Sequence, residues 1–126
     1  MSTEGKTTFQ SFNKNLLAPS IVDAEKECVR YDFLKLSTLE IAPSKGIQVG
    51  DYVSLSMDVE GVGGFGTYIP EVTREQVENG ISIELSKSSL IPRPGALVTA
   101  HYTVKKPDKS EARSATCRYT VGDWPV

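Results

Sequence analysis

The sequence predicts an all-β chain, folded as an antiparallel sandwich of about seven short strands. Three observations support this prediction. Apolar and polar residues alternate with period two from residue 38 onward, turn-forming residues separate the alternating runs, and no long amphipathic helix competes with them. Successive side chains of a strand face opposite sides, so each run would bury one face and expose the other. This alternation is typical of antiparallel sheets with one solvated face.

Five runs of residues carry the alternation. They are residues 38–41, 52–59, 81–85, 98–105 and 114–121. In the fourth run Tyr102 belongs to the inward set, and His101 belongs to the outward set. In the fifth run Tyr119 is inward and Ser114 is outward. We therefore expect the two tyrosines to be core aromatics and the histidine to lie on a solvated sheet face.

Turn signals occupy the gaps between these runs, at residues 43–46, 50–51, 79–80, 92–95 and 106–110. The last of them, Lys-Pro-Asp-Lys-Ser, is typical of a hairpin turn. Thr73 and Gln76 have the spacing of a helical capping box, and Gly80 would end that helix within two turns. Residues 87–90 are a second candidate for a turn of helix.

Length and charge bound the class of protein. A chain of 126 residues is expected to form one domain. Its 14 basic and 16 acidic residues give a net charge of −2 and a pI of about 5.4. This balance argues against a general nucleic-acid binder. Cys28 and Cys117 are expected to be reduced thiols, with one disulfide between them as the alternative. The sequence has no cluster of Cys and His residues, so we expect no zinc site.

The predicted domain covers residues 16–121, between a polar tail at 1–15 that we expect to be mobile and an extension at 122–126. The tail has no apolar run suited to a Sec signal peptide. We expect a chain that is cytoplasmic as synthesised, with leaderless export or membership of a larger surface protein as alternatives. No run of residues is long and apolar enough for membrane insertion.

The order of several short motifs resembles a bacterial immunoglobulin-like (Ig-like) β-sandwich module, over about residues 16–121. The motifs are Leu-Ala-Pro at 17–19, GIQVGDYV at 46–53, GFGTY at 64–68, ISIEL at 81–85 and VTAHYTV at 98–104. Modules of this class occur as tandem repeats in large surface and adhesin-like proteins of Gram-negative bacteria. The resemblance implies an Ig-like sandwich and a non-catalytic binding role.

Two features were considered as sites of chemistry. Residues 61–66 read GVGGFG, a literal G-x-G-x-x-G, but a dinucleotide site needs a helix after the glycines. The residues that follow favour a strand, so we expect a flexible loop that joins two strands. His101 is the only histidine, and no nucleophile elbow accompanies it. No catalytic, cofactor-binding or metal-binding residue is assigned.

The candidate binding residues are aromatic side chains near loops and cations near the hairpin tip. They are Phe65, Tyr68, Trp124, Lys106, Lys109 and Arg113. We expect a binding module that recognises a protein or a carbohydrate in bacterial adhesion, secretion or host and competitor interaction. The alternatives are a structural module that self-assembles through strand edges or sheet packing, and a small toxin or effector exported without a Sec signal.

Overall fold

The computed structural model describes residues 11–12, 16–22, 24, 26–29, 38–85 and 93–122. These residues form ten strands and one short helix. The elements are β1 (Ser11–Phe12), β2 (Ser20–Ile21), β3 (Cys28–Val29), β4 (Thr38–Ile41), β5 (Tyr52–Val59), β6 (Gly63–Ile69), α1 (Arg74–Asn79), β7 (Ile81–Glu84), β8 (Leu97–Lys105), β9 (Glu111–Arg113) and β10 (Cys117–Val121). The chain is therefore mostly β, as the alternation predicted.

The larger sheet is built around β8. Strand β5 pairs antiparallel with β8 along one side, and β6 follows beyond β5. The other side of β8 pairs with two strands in turn. Its C-terminal part pairs with β9 and its N-terminal part with β10, both antiparallel. Strands β1 and β3 extend this side by pairing in parallel with β9 and β10. Ser11 and Phe12, which form β1, belong to the stretch expected to be a tail.

The smaller sheet has the antiparallel order β2-β4-β7. Inward side chains of both sheets form a single hydrophobic cluster, and the sheets do not close into a barrel. Tyr119 of β10 joins the two sheets directly, because its hydroxyl accepts a hydrogen bond from the backbone N–H of Ile21 at 3.1 Å. Tyr102 is fully buried. Both tyrosines are thus core aromatics, which confirms their predicted inward placement.

Two sequence-based expectations about strands were wrong. The expected loop at residues 61–66 is in fact the turn before β6 and the first part of that strand, which pairs with β5 over its full length. The predicted strand at 114–121 is broken, and Ser114 faces inward at 1% exposure. Its Oγ accepts a hydrogen bond from the backbone N–H of Tyr102 and donates one to the carbonyl of Ala115. In the break that separates β9 from β10 along the chain, the serine side chain thus takes the place of a ladder hydrogen bond to β8.

The short helix and the hairpin confirm the predicted local signals. Thr73 Oγ1 accepts from the Gln76 N–H, and the Gln76 side chain accepts from the Thr73 N–H, which completes the capping box. Gly80 ends the helix at φ +96°, and a Cβ there would lie 2.8 Å from the carbonyl oxygen of Ile41. Between β8 and β9, the N–H of Lys106 donates to the carbonyl of Ser110, closing the hairpin turn.

Candidate outer-face binding site

Two tyrosines stack on the outer face of the larger sheet. Tyr68 lies opposite Ser54 in the β5–β6 ladder, so Tyr52, two residues earlier on β5, is its diagonal neighbour. The ring centroids are 5.6 Å apart and the ring planes differ by 16°. The side chains are 37% and 59% exposed. Because the rings stack on each other, each offers one remaining face to a ligand.

A groove of about 540 Å³ lies beside Tyr52, and we call it the tyrosine–lysine groove. It runs from β5 across β8 to the hairpin turn. Its lining residues are Gly50, Tyr52, Ser54, Thr103, Lys105, Lys106, Pro107, Lys109 and Glu111. The register places Lys105 directly between Tyr52 and Glu111 on neighbouring strands. Aromatic, hydroxyl, cationic and carboxylate groups thus meet in one concavity of small-molecule size.

One end of the groove is held by an ion pair. Lys106 Nζ lies 2.6 Å from Asp51 Oδ2 and donates a second hydrogen bond to the carbonyl of Gly46 at 2.8 Å. The same Asp51 oxygen accepts the backbone N–H of Gln48. Asp51 is buried at 1% exposure. The ammonium of Lys106 therefore fastens the hairpin to the start of β5.

The outer face continues from the groove toward Arg113 and His101. Arg113 lies opposite Thr103, and its Nη2 is 3.5 Å from His101 Nδ1. Partial burial, and then the neighbouring Arg113 charge, lower the pKa of His101. A catalytic histidine of the triad type is oriented by a carboxylate at this nitrogen, which stabilises its protonated form. The guanidinium of Arg113 instead disfavours the protonated form of His101.

A second groove, of about 610 Å³, lies on the other side of Tyr68. Phe65, Thr67 and Ile69 of β6 line it together with Ser82, Ile83 and Glu84 of β7, and Thr38 and Tyr68 complete it. Tyr68 therefore lines this edge groove, whereas Tyr52 lines the tyrosine–lysine groove. The stacked rings stand between the two concavities.

The structure separates several of the sequence-predicted candidates. Phe65 and Tyr68 have opposite parity on β6, so the phenylalanine packs partly against the core while the tyrosine is exposed. Lys106 is engaged by Asp51. Lys109 lines the tyrosine–lysine groove. Arg113 is not among the lining residues, but it lies on β9 opposite Thr103, which is. Trp124 lies outside the described residues.

Sequence reasoning missed the part that β5 and β8 play in the site. The period-two pattern of residues 52–59 places Tyr52 and Ser54 on the outward side, but nothing in the sequence joins them to Tyr68 as long as residues 61–66 are taken for a loop. With β6 recognised as a strand, the even positions of both strands share one face. That parity is the signal that could have found the tyrosine pair.

Comparison of the chain with protein-family models, with curated proteins and with solved structures finds no match. Within the described ranges, no group of three or more His, Cys, Asp or Glu side chains could hold a metal ion. The helix of this part of the chain is too short to cross a membrane, and no other helix there qualifies.

Proposed function

We propose that this protein is a non-catalytic Ig-like module that binds carbohydrate on the outer face of its larger sheet. The observation that carries the proposal is the exposed, stacked pair Tyr52 and Tyr68 at the rim of the tyrosine–lysine groove. Aromatic faces pack against the C–H faces of sugar rings, while hydroxyl and charged groups bond to sugar hydroxyls. The groove supplies both kinds of group next to each other.

The strand order supports the Ig-like assignment. In such sandwiches, strands A, B, E and D form one sheet and strands C, F and G form the other, with C′ added beside C in variable-type domains. No described strand occupies the D position here. The orders β2-β4-β7 and β6-β5-β8-β10 fit this scheme, with β2 as A and β10 as G. The count of seven strands fits as well if the short β1, β3 and β9 are treated as additions. The resemblance to adhesin-like modules agrees with this interpretation.

The chemistry of the outer face favours a sugar over a protein partner. Protein interfaces of standard size bury about 800 Å² on each side around an apolar centre. The centre of this face instead carries Ser54, Ser56 and Thr103, with Gly66 beside them in the ladder. Small hydroxyl side chains next to tall aromatic rings make a shallow polar trough, which suits one or a few sugar rings.

A second candidate function is self-association through β6. Among the described strands, β6 pairs only with β5, and its seven residues carry no charge and no proline, the usual protections of an edge strand. An antiparallel pair of β6 strands centred on Gly66 would place Tyr68 opposite Gly64 of the second copy. Sedimentation over a wide concentration range tests this alternative, and a monomer throughout would exclude it.

A glycan array followed by calorimetry tests the main proposal. We expect the protein to bind at least one glycan class, and Tyr52→Ala to weaken that binding by about tenfold, since it removes the aromatic face that lines the groove. Tyr68→Ala removes only the ring stacked behind Tyr52 and should weaken binding less. Leu17→Ala is the matched control, because Leu17 is 60% exposed and lines neither groove. Absence of glycan binding at millimolar concentration, or an equal loss in the control variant, would contradict the proposal.

A further inference from the structure

We infer that the preferred ligand of the tyrosine–lysine groove is an acidic carbohydrate, one that carries sugar carboxylates. This inference rests on the proposed carbohydrate-binding function and names the ligand class of the same site. The charge of the outer face, the cations around Tyr52 and the donor geometry of Arg113 support it.

The charge of the outer face differs in sign from that of the whole chain. The chain carries a net charge of −2. The described outer face and its hairpin turn carry four cations, Lys105, Lys109, Arg113 and Arg118, and three carboxylates, Asp58, Asp108 and Glu111, while Lys106 and Asp51 neutralise each other. A face with an excess of cations on an acidic protein attracts anions locally and raises their rate of encounter.

The cations lie where a sugar stacked on Tyr52 would meet them. Lys105 is the cross-strand neighbour of Tyr52 on β8, so their Cβ atoms are close enough for both side chains to touch one ligand. Lys109 projects from the hairpin turn at φ +74° and lines the same groove. Glu111 lies opposite Lys105 and is the one carboxylate among the residues that line the groove.

Arg113 gives the site a preference for planar anions. It lies opposite Thr103, a groove residue, and it is exposed. A guanidinium presents parallel N–H donors that match both oxygens of a carboxylate, which a lysine ammonium cannot do. The neighbouring His101 brings no negative charge to these donors, and the carboxylate of Glu111 lies two residues earlier on the same face of β9. A carboxylate is therefore better matched than a neutral hydroxyl at this end of the site.

The same geometry disfavours a nucleic-acid strand. Proteins that bind single strands offer successive free aromatic faces, one for each base, along a continuous basic groove. Here the two tyrosines stack on each other, and the pI of the chain is about 5.4. An acidic peptide would use the cations but would leave the tyrosine faces without a matched partner.

Calorimetric titration of the full chain with matched sugars tests the inference. The probes are oligogalacturonate and sialyllactose as two sources of carboxylate, neutral oligogalactose and lactose as their counterparts, and polyglutamate and single-stranded DNA as other polyanions. We expect one or both acidic sugars to bind about tenfold more tightly than the neutral counterpart at low salt. The difference should shrink at about 0.5 M salt, because exposed charges are then screened.

Charge-removing variants complete the test. Lys109→Gln combined with Arg113→Gln should reduce the affinity for the acidic sugar to about that for its neutral counterpart, a larger loss than the same variant causes for the neutral sugar. Arg74→Gln, on the exposed side of α1, removes a cation away from the face and should change neither affinity. Thermal melting of each variant checks that the fold is retained.

Each remaining outcome counts against the inference in a different way. Equal binding of acidic and neutral sugars would overturn the acidic preference and leave the proposed function standing. Binding of polyglutamate or DNA as tight as that of the acidic sugar would show attraction by charge alone and overturn the sugar assignment. Absence of binding to any sugar would overturn both the inference and the proposed function.

Discussion

Lys106 and Asp51 form the ion pair that fixes the hairpin against the start of β5, with Nζ and Oδ2 2.6 Å apart. The two partners differ in solvation, because the Lys106 side chain is 29% exposed and that of Asp51 only 2%. Desolvation of a charge is costly unless a partner compensates it. The two halves of this pair should therefore respond differently to mutation.

Removing the cation should destabilise the protein more than neutralising the anion. Lys106→Met leaves the Asp51 carboxylate buried with only the Gln48 N–H as a donor, and we expect a loss of about 3 kcal/mol. Asp51→Asn leaves Lys106 with the Gly46 carbonyl and access to water, and we expect a loss of about 1–2 kcal/mol. Urea unfolding measures both values. The reverse order would contradict the assignment of Asp51 as the desolvated partner.

The two core tyrosines should also differ in what their hydroxyls contribute. Tyr119→Phe leaves the buried N–H of Ile21 without its acceptor, at a cost of about 1–3 kcal/mol. Tyr102→Phe frees only the carbonyl of Leu17, a residue that is 60% exposed and can bond to water instead. We expect this variant to lose less than about 1 kcal/mol. Equal losses would mean that the hydrogen bond from Ile21 to Tyr119 contributes no more to stability than the bond from Tyr102 to Leu17.

Alkaline unfolding should depend on Tyr102. Burial raises the pKa of Tyr102 to about 12, compared with 10 for an ordinary tyrosine. The unfolded state therefore loses its proton first, so stability is full below pH 10 and falls between pH 10 and 12. In Tyr102→Phe this part of the decline should disappear. Unfolding measured by denaturant at several pH values between 9 and 12 checks it, and identical slopes for the two proteins would contradict the burial of this hydroxyl.

At acidic pH, protonation of His101 should lower the stability of the fold, by less than ionisation of Tyr102 does at alkaline pH. The pKa of His101 is lowered in the folded state, so the unfolded state binds its proton first as pH falls through about 6.5. Stability from this group is present above that pH and is lost below it. Because burial is the larger cause and Arg113 the second, Arg113→Gln should raise the pKa of His101 only part of the way to its ordinary value. NMR titration of the His101 ring measures this, and an unchanged pKa would contradict the pairing.

The sequence was sufficient to predict the alternating strands, since the burial of β5 and β8 follows the period-two pattern without a break. It failed for β6 because glycine has no side chain to reveal an inward or outward phase. It failed at Ser114 because a small polar residue can satisfy backbone groups inside a break in a strand. Both failures are local, and both lie on partners of the central pair β5–β8.

The candidate site was only partly predictable, for a different reason. Tyr68, Lys109 and Arg113 were identified from residue type and from their position near turns. Tyr52 joins them only through the register of β5 with β6 and β8, and a ladder register between distant strands is set by tertiary packing. The role of Lys106 as an ion-pair partner depends in the same way on Asp51, which is distant in sequence.

The most direct test of the carbohydrate site is an NMR titration of the backbone amides with the glycan that the array identifies. We expect the shifts to cluster at the tyrosine–lysine groove, around Tyr52, Ser54 and Thr103, with Tyr68 at its rim, and to require about tenfold more glycan in Tyr52→Ala. Shifts confined to the edge groove around Phe65 and Ile83, or an unchanged titration midpoint in Tyr52→Ala, would contradict the proposed site.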